Sequence, residues 1–133
     1  CILLLEERIL AIFPENQAPE EDRFPLEQLR QAPYILRPDS LDSETRALFR
    51  KVPCAPRITY SAKDDYAVMA MVEQGLGMSI LPELLLKRTP YRLAKRELDP
   101  PAKRQLGVAC KSPQALSPAA RQFWQHVKEA APL

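Results

Sequence analysis

Histidine is almost missing from this chain: His126 is the one copy in 133 residues. A serine or cysteine hydrolase built on it would need a third group to orient the imidazole, and the sequence offers none. Cysteine is sparse as well. Cys1, Cys54 and Cys110 lie far apart, with no CxxC pair and no adjacent histidine. That spacing fits neither a zinc site nor a disulfide framework, and an odd count suits a reducing, cytoplasmic setting. Neither a metal nor a cofactor is expected. Long apolar runs are lacking too. Cys1–Leu5 is apolar, but Glu6, Glu7 and Arg8 interrupt it before it could span a bilayer or serve as a signal segment. A mature lipoprotein also begins with cysteine, yet Ile2 is apolar and no polar tether follows. No targeting signal and no membrane partner are expected. Charge of one sign is also scarce. The formal net charge of +2 makes no strong field for nucleic acid, and no helix carries the clustered Arg or Lys of a DNA reader.

What the chain does hold is the material of one soluble domain. Its 133 residues are 46% apolar and 27% charged, ordinary for a globular protein and enough to bury a core. Fourteen prolines, against a usual share of ~5%, fall between the periodic segments and read as punctuation. No repeat or low-complexity tract appears.

Tyr60 to Pro82 organises the rest. Ala67–Val72 is a run of six apolar residues, too short for a membrane span. Ser61, Asp64 and Asp65 before it can satisfy or complement free N–H groups at a helix start. Gly75 after it can take the positive φ of a helix stop, with Gln74 as the last half-helical residue and Leu76 folding back on Met71. Gly77–Leu81 then reads as a short buried strand, and Pro82 opens another helix. Because successive helical residues step 100° around the axis, an apolar run covers every side. Either the domain buries this helix entirely or one flank meets a second chain. The expectation is a homodimer, with Val68, Met71 and Val72, or Ala67 and Met69, at or beside the contact.

Elsewhere, Glu7–Phe13 reads as a buried strand and Pro14–Phe24 as an acidic loop. Pro25–Gln31 is a short helix ended by Pro33, and Tyr34–Leu36 a strand. A helix with a Leu41, Thr45, Leu48, Phe49, Val52 stripe ends at Pro53 and Pro56. Arg57–Tyr60 is strand-like and Pro82–Arg88 a short helix. Tyr91–Lys95 and Gln105–Cys110 are strands either side of a Pro100–Pro101 break. Ser117 caps, and Pro118 starts, a final helix with a face of Ala119, Phe123, Val127 and Ala130. The alternation predicts an α/β domain with a largely parallel sheet.

Val72, Gly75, Leu76, Gly77, Leu81 and Pro82 form the pattern V-x-x-G-L-G-x-x-x-L-P, which resembles the effector-binding domain of LysR-type transcriptional regulators. Arg8–Pro14 is similar to that family's crossover strand, Pro25–Leu36 to its "sLedLa-x-x-Pfi" segment, and Ser117–Phe123 to the start of its C-terminal helix. The resemblance implies a three-layer α/β/α fold like type II periplasmic binding proteins. It also implies an incomplete bilobal domain. Residues 14–104 would be the second subdomain. Residues 1–13 and 105–133 would hold both crossing strands (Ile9–Phe13 and Leu106–Cys110), the C-terminal helix and a remnant of the first subdomain. On this reading the chain is the small-molecule effector-sensing portion of a cytoplasmic, typically oligomeric regulator without catalytic activity. DNA would be reached only through an N-terminal winged helix-turn-helix that these residues do not include. The alternative is a solute-binding protein of a transport system with the same bilobal architecture.

Enzymatic motifs fail on detail. Gly75-x-Gly77 has Ile80 where a dinucleotide loop needs glycine, and it runs from helix to strand. Ser79 follows Gly77 as in a nucleophile elbow, but Leu81 replaces the second glycine. Asp64 and Asp65 are neighbours in one helical turn and point apart. What survives is non-covalent binding at the carboxyl ends of strands. Two loops qualify: Arg37–Ser43, with Arg37, Asp39, Ser40, Asp42 and Ser43, and Ser61–Asp64, with Ser61, Lys63 and Asp64. By resemblance the strand end at Leu81–Pro82 adds Pro82. For each of these residues helix capping competes with ligand contact. The resemblance brings small carboxylate effectors, which helix N-termini suit. Asp39, Asp42, Asp64 and Asp65, offset only by Arg37 and Lys63, stand against an anion and leave neutral, zwitterionic and cationic ligands open.

Overall fold

The computed structural model describes residues 1–37, 43–51 and 55–131. Among them the order is β1 (Ile2–Pro14), β2 (Arg23–Pro25), β3 (Pro33–Leu36), α1 (Ser43–Lys51), β4 (Arg57–Ser61), α2 (Asp65–Glu73), β5 (Ser79–Pro82), α3 (Glu83–Leu86), β6 (Leu93–Val108) and α4 (Pro118–Ala130), with short 3-10 turns between some of them. The chain divides into two compact units, Arg8–Lys103 and Cys1–Glu7 with Arg104–Leu133.

The larger unit is built on the alternation of β1. Ile9, Ala11 and Phe13 join Phe24, Leu26, Leu29, Tyr34, Leu48, Met78, Ile80 and Leu98 in one apolar cluster. Leu10 and Ile12, on the opposite face, join Ile35, Val68, Met69, Val72, Leu81 and Leu86 in another. A strand sends successive side chains to opposite faces, so α1 and the 3-10 turn Leu26–Arg30 cover one side of the sheet while α2 and α3 cover the other. That is the expected three-layer arrangement.

The sheet runs β2-β6-β1-β5, with β3 and β4 as a separate pair. Met78 connects them: its N–H reaches the Pro33 carbonyl and its carbonyl accepts from Ile35, both at 2.9 Å. The pairs β3–β4 and β2–β6 are parallel, but β5 runs antiparallel to β1, Ile9 opposite Pro82 through Ile12 opposite Ser79. A largely parallel sheet was the expectation, and this pair departs from it. The short connection between α2 and β5 brings the chain back alongside β1 in the opposite sense.

Glycine ends α2 as its sequence requires. Gly75 has φ +83°; its N–H donates to Val72 O at 2.9 Å and the Leu76 N–H to Met71 O at 3.1 Å. These two bonds satisfy the last carbonyls of the helix in a Schellman stop. At the other end Asp64 is the cap, its carboxylate accepting from the Tyr66 N–H at 3.3 Å, whereas Ser61 belongs to β4.

Four expectations need correction. Pro100 and Pro101 do not divide two strands, because β6 is continuous over Leu93–Val108. Its neighbour β2 pairs only as far as Asp99, so on that flank the two prolines remove no ladder bond. Of the α2 residues expected at or beside a dimer contact, three are interior. Val68, Met69 and Val72 have no exposed surface, packed by their own chain against β1, β3, β5 and α3; Ala67 and Met71 are half-buried. On α4, Ala119, Phe123 and Ala130 face outward, with Phe123 60% exposed, and the half-buried positions are Ala120, Trp124 and Val127. The stripe is therefore rotated by about one residue. Finally, Pro25–Gln31 is a 3-10 turn over Leu26–Arg30, and α3 is a single turn.

The smaller unit holds a buried ion pair. Glu7, with 4% of its side chain exposed, accepts from Arg104 Nε, and Gln105 reaches Glu6 beside it. In α4, Ser117 caps as expected, its hydroxyl accepting from the Ala120 N–H at 3.3 Å.

Candidate functional site

The carboxyl ends of β3 and β5 meet α1 at a small cleft lined by Tyr34, Leu36, Arg37, Thr45, Ser79, Ile80, Leu81 and Pro82. Its volume is about 20 Å³, room for one water-sized group. The chain folds this way because Tyr34–Leu36 is an apolar strand that ends at a polar residue, and because Pro82 stops β5 and starts α3. Two of the expected ligand residues, Arg37 and Pro82, therefore both line this cleft.

Arg37 is the charged group of the cleft. Its Nη1 pairs with Asp65 Oδ1 at 2.8 Å, joining the end of β3 to the first turn of α2. Its Nε is closed off from solvent and has no hydrogen-bond partner among the described residues. Ser79 is buried, and its hydroxyl donates to the Ile35 carbonyl at 2.9 Å, a bond within the sheet. Tyr34 packs its ring edge-on against Phe49 at 5.5 Å, which fixes one wall.

The second loop lies at the other end of the Arg37–Asp65 pair. Ser61 ends β4 and is exposed, Lys63 is exposed, and Asp64 caps α2. For Asp64 the structure displays the capping role. Ser43 is the first residue of α1. Asp39, Ser40 and Asp42 lie outside the described residues. Sequence reasoning missed three contributors: Asp65 as the partner of Arg37, Thr45 as a lining residue, and Ser79 as a buried polar group. Only Ser79 left a signal, a hydroxyl between Met78 and Ile80 in an apolar strand.

Chemically this arrangement can hold and orient a polar group without breaking bonds. No group of three or more His, Cys, Asp or Glu side chains able to hold a metal occurs among the described residues. None of their helices is long and apolar enough to cross a membrane.

An open sheet covered by helices on both faces, with its cleft beyond the strand ends, is the architecture of a periplasmic-binding-protein-like effector subdomain. The LysR substrate binding domain model matches residues 1–132, and the chain belongs to that family. The transcriptional dual regulator GltC of Bacillus subtilis (strain 168) is 26% identical over 130 residues, covering 94% of this chain and 43% of GltC. Among solved structures, the LysR family regulator HinK from Pseudomonas aeruginosa superposes with a TM-score of 0.75 at 25% identity, over 97% of this chain and 47% of that one. The regulatory domain of CcmR from Synechocystis PCC6803, solved in complex with 2-PG, gives 0.76 at 18% identity, over 98% and 65%. The chain spans less than half the length of the curated relatives it matches, 43% in one case and 26% in the other. The match is to a LysR substrate binding domain, and the transport solute-binding reading is the less supported.

Proposed function

We propose that this chain senses a small-molecule effector, without catalysing a reaction, at the end of the sheet formed by Arg37, Thr45, Ser79 and Pro82. The observation that supports this is the cleft beyond β3 and β5 in a chain matched by the family over 132 residues. Arg37 and Pro82 supply the rim, and Ser61, Lys63 and Asp64 flank it through the Arg37–Asp65 pair; Asp39, Ser40, Asp42 and Ser43 complete the proposed set. Residues 14–104 act as the second subdomain, and residues 1–13 and 105–133 supply the crossing strands, the C-terminal helix and a remnant of the first. The regulator works in the cytoplasm as a homo-oligomer, without a membrane partner, and meets DNA through a winged helix-turn-helix. Its oligomer contact lies away from Val68, Met69 and Val72, which its own core consumes. The test is a thermal-shift screen of the complete regulator against neutral, zwitterionic and anionic metabolites. A compound that raises the melting temperature of the wild type and not of Arg37→Ala supports the reading. A regulator whose DNA occupancy responds to a compound that Arg37→Ala and Pro82→Ala leave unaffected would place the site elsewhere.

A further inference from the structure

Resting on the reading that the complete regulator meets DNA, we infer that the loop between α3 and β6 is a further DNA contact, one that grips phosphates without reading sequence. Lys87, Arg88, Arg92 and Lys95 carry it, and three observations lead there.

The first is charge. Residues 87–96 hold Lys87, Arg88, Arg92, Lys95 and Arg96 and no carboxylate. The remainder of the chain has more Asp and Glu than Lys and Arg, so the formal charge of +2 averages a basic loop with an acidic molecule. A net charge near zero hides a local field of this kind. The carboxylates around the loop do not cancel it. Glu83 is held by Arg8, through Nη2 at 2.7 Å and Nε at 3.1 Å. Glu73 and Glu97 remain, two against the five cations of the segment. Arg37, where the undescribed residues 38–42 begin, meets Asp65 at the opposite end of α2 from Glu73, about 12 Å away along the helix axis.

The second is geometry. Lys87, Arg88, Arg92 and Lys95 are all exposed. Lys95 Nζ donates to the Leu86 carbonyl at 3.2 Å, which brings its charge beside Lys87 at the end of α3. The Tyr91 N–H donates to Thr89 Oγ1 at 3.2 Å and the Arg92 N–H to the Glu73 carboxylate. The backbone that presents the cations is thus tied down, while the side chains of Lys87, Arg88 and Arg92 form no hydrogen bond or ion pair among the described residues.

The third is the scarcity of apolar surface, which favours nucleic acid over an acidic protein. On α3 and β6, Leu84 is the one exposed large hydrophobic side chain among the described residues. A protein partner needs an apolar centre to its interface, whereas phosphates need only positioned cations.

The test is the fluorescence anisotropy of a short labelled duplex of random sequence, titrated with the 133-residue chain from about 20 mM salt upward. Replacing Lys87, Arg88 and Arg92 together by Gln is expected to weaken binding at least roughly tenfold at the lowest salt. It should also flatten the slope of log K against log salt by about 0.9 for each cation removed. The matched triple Arg50→Gln/Lys111→Gln/Lys128→Gln takes the same charge from exposed positions elsewhere, and is expected to keep the wild-type slope. No binding by the wild type at about 20 mM salt would overturn the inference, and so would equal losses in the two triples. Tighter binding to poly-glutamate than to the duplex would overturn it by assigning the loop to an acidic protein. Because the duplex carries no operator, none of these results bears on the winged helix-turn-helix.

Discussion

Gly75 and Gly77 close the same helix–strand corner for different reasons. At Gly75, φ is +83° and an added Cβ would find Gln17 Nε2 at an ordinary 3.7 Å. The cost of a side chain there is conformational, about 1–2 kcal/mol. At Gly77 a Cβ would lie 2.7 Å from the Pro33 carbonyl oxygen, the atom that also accepts from Met78. Backbone at that distance cannot step aside without loosening the link between β3 and β5. Gly75→Ala is therefore expected to lower stability by about 1–2 kcal/mol, and Gly77→Ala by more. Urea denaturation of both variants checks the order, and an equal or reversed loss would contradict it. Arg8 and Glu83 give a pH-dependent prediction. Arg8 donates from Nε at 3.1 Å and Nη2 at 2.7 Å to the two carboxylate oxygens. That hydrogen bonding holds the Glu83 carboxyl below its usual range, against a smaller upward push from burial. A depressed carboxylate stabilises the fold above its unfolded pKa and ceases to as pH falls through the folded value. Glu83→Gln should cost ~0.2–1 kcal/mol near neutrality, as for an exposed pair. The gap to wild type should close as pH falls below the ordinary glutamate range, because the folded value is depressed. A gap that persists in acid would show that the carboxylate charge is not its source.

At the scale of elements, α2 is held by packing on its own chain. Met69 has no exposed surface, and Met69→Ala should cost about 2–5 kcal/mol through lost burial and the cavity left behind. If α2 instead lay at a subunit contact, the substitution would make stability depend on protein concentration. Unfolding measured at two concentrations separates the accounts. In the smaller unit the strands are joined by Glu7 and Arg104, where the glutamate has 4% of its side chain exposed and the arginine 19%. Removing one partner of a buried pair strands the other charge. Arg104→Met is expected to cost about 3–5 kcal/mol, and the double change Glu7→Leu/Arg104→Met to recover part of it. A double variant no more stable than the single one would mean that the pair's charge is not the issue. The boundaries of α2 were legible because Asp64 and Gly75 are chemically committed to a cap and a stop. The continuity of β6 was not. Two adjacent prolines read as a break until it is known which flank of the strand carries hydrogen bonds there.

For the whole molecule, the share of each relative that this chain spans bears on affinity. A bilobal effector site draws contacts from both lobes, and the cleft described here holds about 20 Å³. The 133-residue chain is therefore expected to bind any effector of the complete regulator much more weakly than that regulator does. Calorimetry on both, with one compound, is the check. Equal affinities would locate the whole site within these residues.

Local chemistry and periodicity determined much of this protein from sequence alone. The apolar run Ala67–Val72, the cap and stop around it, the strand in Ile9–Phe13 and the proline-opened helix at Pro118 all rest on interactions within a few residues. The family resemblance also rests on such short stretches, since each motif preserves one corner of the fold. Tertiary structure alone decided four things. It turned β5 antiparallel to β1, and it buried Val68, Met69 and Val72, three of the five α2 residues expected at or beside a dimer contact, against one face of the sheet. It rotated the half-buried side of α4 to Ala120, Trp124 and Val127. And it placed Arg37, a candidate ligand residue, against Asp65, 28 residues away in the chain. Each of these depends on which surfaces lie opposite one another, and that is a property of the packed chain and not of any segment.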